Sequence, residues 1–345
     1  MPATSSRWTN RPEGSTWGDF GPDDQLGRLN LLTPERVKRA AQEVTEGLRF
    51  CLSLPLDYPG GSVLNKRRFP PVLSPTLRDG VPTLNFSLAK ENPNFTDVLC
   101  DDKVELHLQY STQWDAFAHV GSHFDADGDG ISEKVYYNGY RAGVEIRCPA
   151  DDDVPHSRSG VLALGIQNYA ETAIQGRGVM IDLRAHVGDA HRPIGFAELK
   201  RIMEADGVHV EAGDILCLHT GFAEKLLEFG RQPPADVLER FGVGLDGSDV
   251  ELLKWLSDSG IAALVADNYS VEVYPARKRA LRCCAALPLH EHCLFKLGVP
   301  LGELWHLTPL ADWLRSHQRT RFLLTAPPLR LPGAVGSPVT PVATV

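Results

Sequence analysis

Hydrophobic positions are distributed differently in the two halves of the chain. In the C-terminal half, short apolar runs predict strands over residues 179–183, 214–218, 261–266 and 322–325. Between them, apolar residues recur at helical spacing over 196–205, 250–257 and 289–297. Strands alternating with helices predict an α/β fold. The N-terminal half is less regular. Its first thirty residues are rich in Gly, Pro, Ser and Trp and read as an irregular arm, 1–30. Thr33 followed by Pro34 is a helix start, with Thr as N-cap and Pro at the first helical position. The stripe Val37, Ala40, Ala41 and Val44 carries that helix over 34–44. Residues 60–94 read as loops and short strands. Val104, Leu106, Leu108 and Tyr110 then alternate with other residues, predicting a half-buried strand over 104–110. Residues 327–345, rich in Pro, Gly, Val and Ala, read as an extended, loosely packed tail outside a single domain spanning 31–326.

Composition narrows the function classes. The chain has 345 residues, 43% hydrophobic and 23% charged, which excludes extended disorder and coiled coil. A formal charge of −9 argues against nucleic acid or an anionic membrane as partner. No apolar run approaches the roughly 20 residues of a membrane span. The N-terminus lacks a signal-peptide core, and seven cysteines lie scattered without CxxC spacing. Reduced, mostly buried thiols in a cytoplasmic protein are expected.

Candidate chemistry concentrates after the alternating strand. His107, Gln109, Gln113, Asp115, His119, His123, Asp125, Asp127 and Asp129 crowd into one stretch. Imidazole and oxygen groups at strand ends and adjoining turns build metal or acid–base sites. Asp125-Ala-Asp-Gly-Asp-Gly resembles the start of a calcium loop. However, Tyr136 stands where the bidentate carboxylate belongs, so a solvated turn is expected. Asp267-Asn268-Tyr269, with Glu272 nearby, and His219-Thr220-Gly221 each follow a predicted strand, where α/β proteins place ligand-binding residues. Cys283-Cys284 has no adjacent base and reads as core. Neither a Gly-x-Ser-x-Gly elbow nor a phosphate loop is present.

The central stretch resembles the putative cyclase family of metal-dependent hydrolases, which includes bacterial kynurenine formamidase and isatin hydrolase. The family signature is His-x-Gly-Thr-His-x-Asp-x-Pro-x-His, its first two His and Asp on the metal and its last His the acid–base. Two registers fit. In one, His119-Val-Gly-Ser-His123-Phe-Asp125 matches the front half. In the other, Gln109-Tyr-Ser-Thr-Gln113-Trp-Asp115-Ala-Phe-Ala-His119 matches the back half, with Gln in place of both metal His. The second is preferred because a strand precedes it, as in the family. Gln109, Gln113 and Asp115 share parity, so an extended chain puts them on one face. Downstream, Leu-His290-Glu and Gly-Val-Pro-Leu-Gly-Glu303-Leu-Trp resemble the family's distal His and Glu ligands, with His292 as a competitor.

The resemblance covers about residues 17 to 340 and implies a swivelling β/β/α domain, mixed sheets with helices packed outside, in a homodimer or homotetramer. It implies a divalent metal on Gln109, Gln113, Asp115, His290 and Glu303, with His119 and Asp115 catalytic. Amide oxygens are harder ligands than imidazole, favouring Mn²⁺ or Mg²⁺, whereas the His119–His123–Asp125 register would suit Zn²⁺. The implied activity is hydrolysis of an amide, formamide or lactone in a small cyclic or aromatic substrate, with Trp114 and Phe117 as an apolar wall. A metal-free acid–base lyase or isomerase, or a non-catalytic binding protein on the same scaffold, is the alternative.

Overall fold

The structure is a computed structural model that describes residues 7–147, 160–274, 276 and 284–345. Its core is a curled mixed sheet of nine strands with helices packed around it. In chain order the strands are β1 (Arg49–Cys51), β2 (Gln113–Asp115), β3 (Gln175–Asp182), β4 (Ile215–His219), β5 (Ala263–Ala266), β6 (Leu301–Glu303), β7 (Arg321–Thr325), β8 (Gly336–Pro338) and β9 (Val342–Thr344). Across the sheet they run β1-β9-β7-β3-β4-β5-β6-β2-β8. β3 to β6 are mutually parallel, and every other pairing is antiparallel.

The parallel strands are the apolar runs of the sequence. Ile215–His219 and Ala263–Ala266 are buried at every position, as expected of strands covered on both faces. The longer helices are α1 (Pro34–Ala41), α2 (Phe196–Ala205), α3 (Val250–Ser259) and α4 (Thr308–Ser316), with shorter helices such as Gln167–Thr172 and Phe222–Glu228 between. Thr33 caps α1, its hydroxyl accepting from the Arg36 N–H. That helix stops at Ala41, one turn before the predicted end. The predicted helix over 289–297 is a turn, Pro288–His290, continuing into a wide π-type helix, Glu291–Leu297. Among the described residues, no helix is long and apolar enough to cross a membrane.

Three expectations are corrected. The alternating segment forms a strand only over Asp102–Glu105, exposed at every position and paired with Val72–Pro75 in a ribbon away from the main sheet. The half-buried strand over 104–110 is absent because the chain leaves the ribbon at Leu106 and enters the site through a turn at His107 to Tyr110. The tail is extended but not loose: β8 pairs with β2, β9 lies between β1 and β7, and Ser337, Ala343 and Val345 are fully buried. Of the described cysteines, Cys217 and Cys293 are buried, while Cys51, Cys100 and Cys284 are exposed. The expected core role of Cys284 therefore fails; Cys283 lies outside the described residues.

The N-terminal segment folds back on its own chain. Trp17 is fully buried, its indole N–H donates to the Phe295 carbonyl at 2.7 Å, and its ring meets Phe124 and Phe295 edge-on.

Candidate active site

β2 and β6 place the first carboxylates. Their antiparallel register sets Gln113 opposite Glu303 and Asp115 opposite Leu301. Because side chains alternate along a strand, Gln113 and Asp115 share one face and Trp114 takes the other. His290 arrives from the turn before the π-type helix. One ligand atom each from Asp115, His290 and Glu303 lies within 4.8 Å of the others, and all three residues are buried.

Hydrogen bonds order this group. Gln113 Nε2 donates to Glu303 Oε2 at 2.9 Å. His290 bridges two carboxylates: Nε2 lies 3.1 Å from Glu303 Oε1, and Nδ1 lies 2.9 Å from Glu272 Oε1. Glu272 also accepts from the backbone N–H groups of Leu289 and His290, both at 3.1 Å. Burial works to lower the His290 pKa, but the bonds to Glu272 and Glu303 outweigh it and raise it to about 10. Burial, helped by the Asp115 charge and opposed by His290, raises Glu303 to about 7.

The arrangement leaves acceptors over. Both carboxylate oxygens of Asp115 and the Oε1 of Gln113 are buried without a hydrogen-bond partner among the described residues. A buried carboxylate without donors is costly, and here it sits beside a second carboxylate and a histidine. Such a donor set fits a divalent cation with oxygen and imidazole ligands.

His119 stands one step out. Its Nε2 is 3.9 Å from Asp115 Oδ1, and its side chain is 21% exposed. Burial lowers its pKa despite the neighbouring Asp115 charge. Gln109 lies in a turn rather than on the face shared by Gln113 and Asp115, so the parity argument fails for it. Its amide is nevertheless close, packed over Gly336, which pairs with Asp115; a β-carbon at Gly336 would collide with that amide.

Other candidates fall elsewhere. His123 is exposed on a two-stranded ribbon, Ser122–Phe124 against Glu133–Val135, and Asp125 spends its carboxylate on the N–H groups of Gly128 and Gly130. The Asp125 loop is thus a turn closed by its own bonds, with Arg141 bridging Asp127 and Glu133. His292 faces α3, bonded to Ser257 at 3.0 Å, and burial lowers its pKa to about 4. Asp267 caps the turn after β4, accepting from Thr220 and Gly221, while His219 bridges Asp182 and Thr308. Trp114 and Phe117 are core residues, not a substrate wall. Trp114 packs edge-on to Trp305, and Phe117 packs against Tyr137 and Tyr169.

Two residues near the site carried no sequence signal of their role. Glu272 was visible only as a polar residue after a strand, and its hold on His290 depends on a turn 18 residues later. Arg68 lies in an irregular segment, yet its guanidinium donates to the Gln109 carbonyl at 2.7 Å. Both sit in loops whose paths periodicity does not predict.

Among solved structures, the chain is similar to one described as a novel cyclase, at 31% identity and a TM-score of 0.73, covering 96% of this chain and 97% of that one. It is also similar to isatin hydrolase A from Ralstonia solanacearum (15% identity, TM-score 0.54, 86% and 91% covered). A third likeness is to isatin hydrolase A from Labrenzia aggregata bound to benzyl benzoate (15%, 0.53, 88% and 94%). At 15% identity these two likenesses concern the fold. None of the curated proteins matches the sequence. The model of the putative cyclase family matches residues 53–273, and with it the chain belongs to that family.

Proposed function

We propose that the chain is a metal-assisted hydrolase that opens an amide or ester bond in a small cyclic or aromatic substrate. The observation that carries this reading is the buried group of Asp115, His290 and Glu303, with the Asp115 oxygens and Gln113 Oε1 left without partners. These residues would hold a divalent cation, and the oxygen-rich set favours Mn²⁺ or Mg²⁺ over Zn²⁺. Such an ion supplies Lewis acidity, polarising the scissile carbonyl and acidifying the attacking water. The similarity to proteins named isatin hydrolases supports a cyclic substrate.

The protein's own residues divide the remaining work. His119, held neutral by burial, accepts a proton from the attacking water and returns it to the leaving group. Asp115, 3.9 Å away, stabilises the imidazolium formed in between. Glu272 accepts the Nδ1 proton of His290 and so directs Nε2 into the site.

Metal analysis and turnover on a panel of lactones, N-formyl arylamines and cyclic imides test the proposal together. About one divalent ion per chain is expected, with activity lost to chelator and restored by Mn²⁺. Asp115→Asn should weaken metal binding and lower turnover on the order of a hundredfold or more. Full turnover by metal-stripped protein would refute it in favour of the metal-free acid–base alternative.

A further inference from the structure

A small recess is lined by Asn65, Arg68, Gln109, Tyr110 and Tyr269, among others, and its Gln109 amide packs over Gly336, which pairs with Asp115. Its polar lining is unusual in kind. The Arg68 guanidinium donates to the Gln109 carbonyl, but among the described residues it has no carboxylate within ion-pair distance. This contrasts with Arg177, Arg192 and Arg330, each paired with Asp or Glu in a chain with an excess of acids. The Tyr269 hydroxyl accepts from Asn65 Nδ2 at 3.1 Å, and its own proton has no acceptor among the described residues. Gln109 Nε2 is a buried donor with no acceptor among the described residues. The Arg68 charge lies within electrostatic reach of His119, Glu303 and Tyr269.

A guanidinium without a carboxylate partner, with a hydroxyl proton and an amide nitrogen that find no acceptor among the described residues, calls for a ligand that only accepts. A carboxylate is such a ligand, gripped by a planar guanidinium through two parallel bonds, and it is the acceptor-only group that hydrolysis of an amide or ester releases. We propose that Arg68, with Tyr269, forms a carboxylate subsite next to the catalytic group. The carboxylate is either one the substrate carries beside its scissile bond or the one hydrolysis releases. The link to turnover rests on the hydrolase reading above; the binding of a carboxylate does not.

The test measures calorimetric binding of benzoate and its neutral isostere benzamide, to metal-loaded and to chelator-stripped protein. Wild type should bind benzoate at least roughly tenfold tighter than benzamide in both states. Arg68→Met should abolish that preference, Arg68→Lys should keep part of it, and Tyr269→Phe should weaken it. Arg67→Met, one residue away and exposed, should leave it intact. Thermal melts of each variant separate lost binding from lost fold, and the Lys variant keeps the test valid if the Met variant unfolds. Equal benzoate affinity in wild type and a folded Arg68→Met would overturn the proposal. So would a preference that vanishes when the metal is stripped, since the metal would then be the anion's partner.

Turnover distinguishes the two sources. If the substrate carries the carboxylate, Arg68→Met raises KM for a carboxylate-bearing lactone and not for its neutral ester. If hydrolysis releases it, the variant instead relieves product inhibition for both. Arg68-dependent benzoate binding without any metal-dependent turnover would sink the hydrolase reading and leave the subsite standing. Metal-dependent turnover with Arg68-independent benzoate binding would do the reverse.

Discussion

Glu272 offers the sharpest test of how the site is held together, because its carboxylate serves three buried donors at once. It accepts from Leu289 N, His290 N and His290 Nδ1 at 3.1, 3.1 and 2.9 Å. Glu272→Ala leaves all three without an acceptor where water does not reach. At about 1–3 kcal/mol for each buried group left unmade, the loss sums to about 3–9 kcal/mol. That is a large part of the roughly 5–15 kcal/mol that stabilises a typical domain. The site resists relaxation, since Gly247 presses against the carboxylate and a β-carbon there would already collide with it. Glu272→Gln keeps one acceptor oxygen but turns an N–H group towards donors, so it should fall between wild type and Ala. Urea unfolding of metal-stripped protein measures these costs without a contribution from metal. In the loaded protein, a freely rotating His290 should also weaken metal binding about 10–100-fold by chelator competition. A Glu272→Ala variant within about 1 kcal/mol of wild type, with unchanged metal affinity, would refute the claim that this carboxylate positions His290.

Further outcomes follow from the same geometry. His119→Ala should lose most turnover with an unchanged melting profile, and the acid limb of the wild-type pH–rate curve should lie below the ordinary histidine value of 6.5, because burial lowers the His119 pKa. In metal-stripped protein, Glu303 and His290 both hold protons more tightly when folded, at about 7 and about 10. Their contributions are full below the unfolded values of 4.5 and 6.5 and are lost as pH rises through the folded ones; below 6.5 the lowered His119 and His292 act in the opposite sense, so unfolding free energy should decline between pH 6.5 and 10. A rise across that window would contradict the assignment. Gln113→His places imidazole where the family signature has it and should shift metal preference from Mn²⁺ towards Zn²⁺ in competitive loading.

The sequence was most legible where burial on both faces writes itself into composition. The runs that became β4 and β5 and the periodicity that became α2 needed only local information. Legibility failed where a segment's partner lies far away in the chain. β8 pairs with a strand more than 200 residues earlier, and its Gly and Pro are tolerated because it is an edge strand. The alternation of Val104 to Tyr110 misled for a related reason. A two-stranded ribbon exposed on both sides shows the same period as a half-buried strand. The candidate site divides the same way: Asp115, His290 and Glu303 were legible through the resemblance to a family motif, and the structure brings them together. Glu272 and Arg68 act through turns, where spacing carries no distance information.

The precision of the group rests on the register of one three-residue strand. Slipping β2 by a single residue would aim Trp114 into the site and drive Asp115 into the core. Several contacts outside the site prevent this. The Trp114 indole donates to the Ala326 carbonyl at 2.8 Å and packs edge-on against Trp305. Trp305 in turn donates to the Gln113 carbonyl at 3.1 Å. Gly302, opposite Trp114, has no room for a β-carbon because Trp305 and Val265 fill that space. On its other edge, β2 is pinned by Gly336, Ser337 and Pro338. The Asp115 carboxylate on the interior face of this strand is therefore placed by aromatic packing on the opposite face. The C-terminal segment that composition presents as a loose tail closes the strand from the side. On the proposed function, the same scaffold would let Gln113 offer an oxygen where the family signature has His, the identity of the ligand setting which cation suits the group.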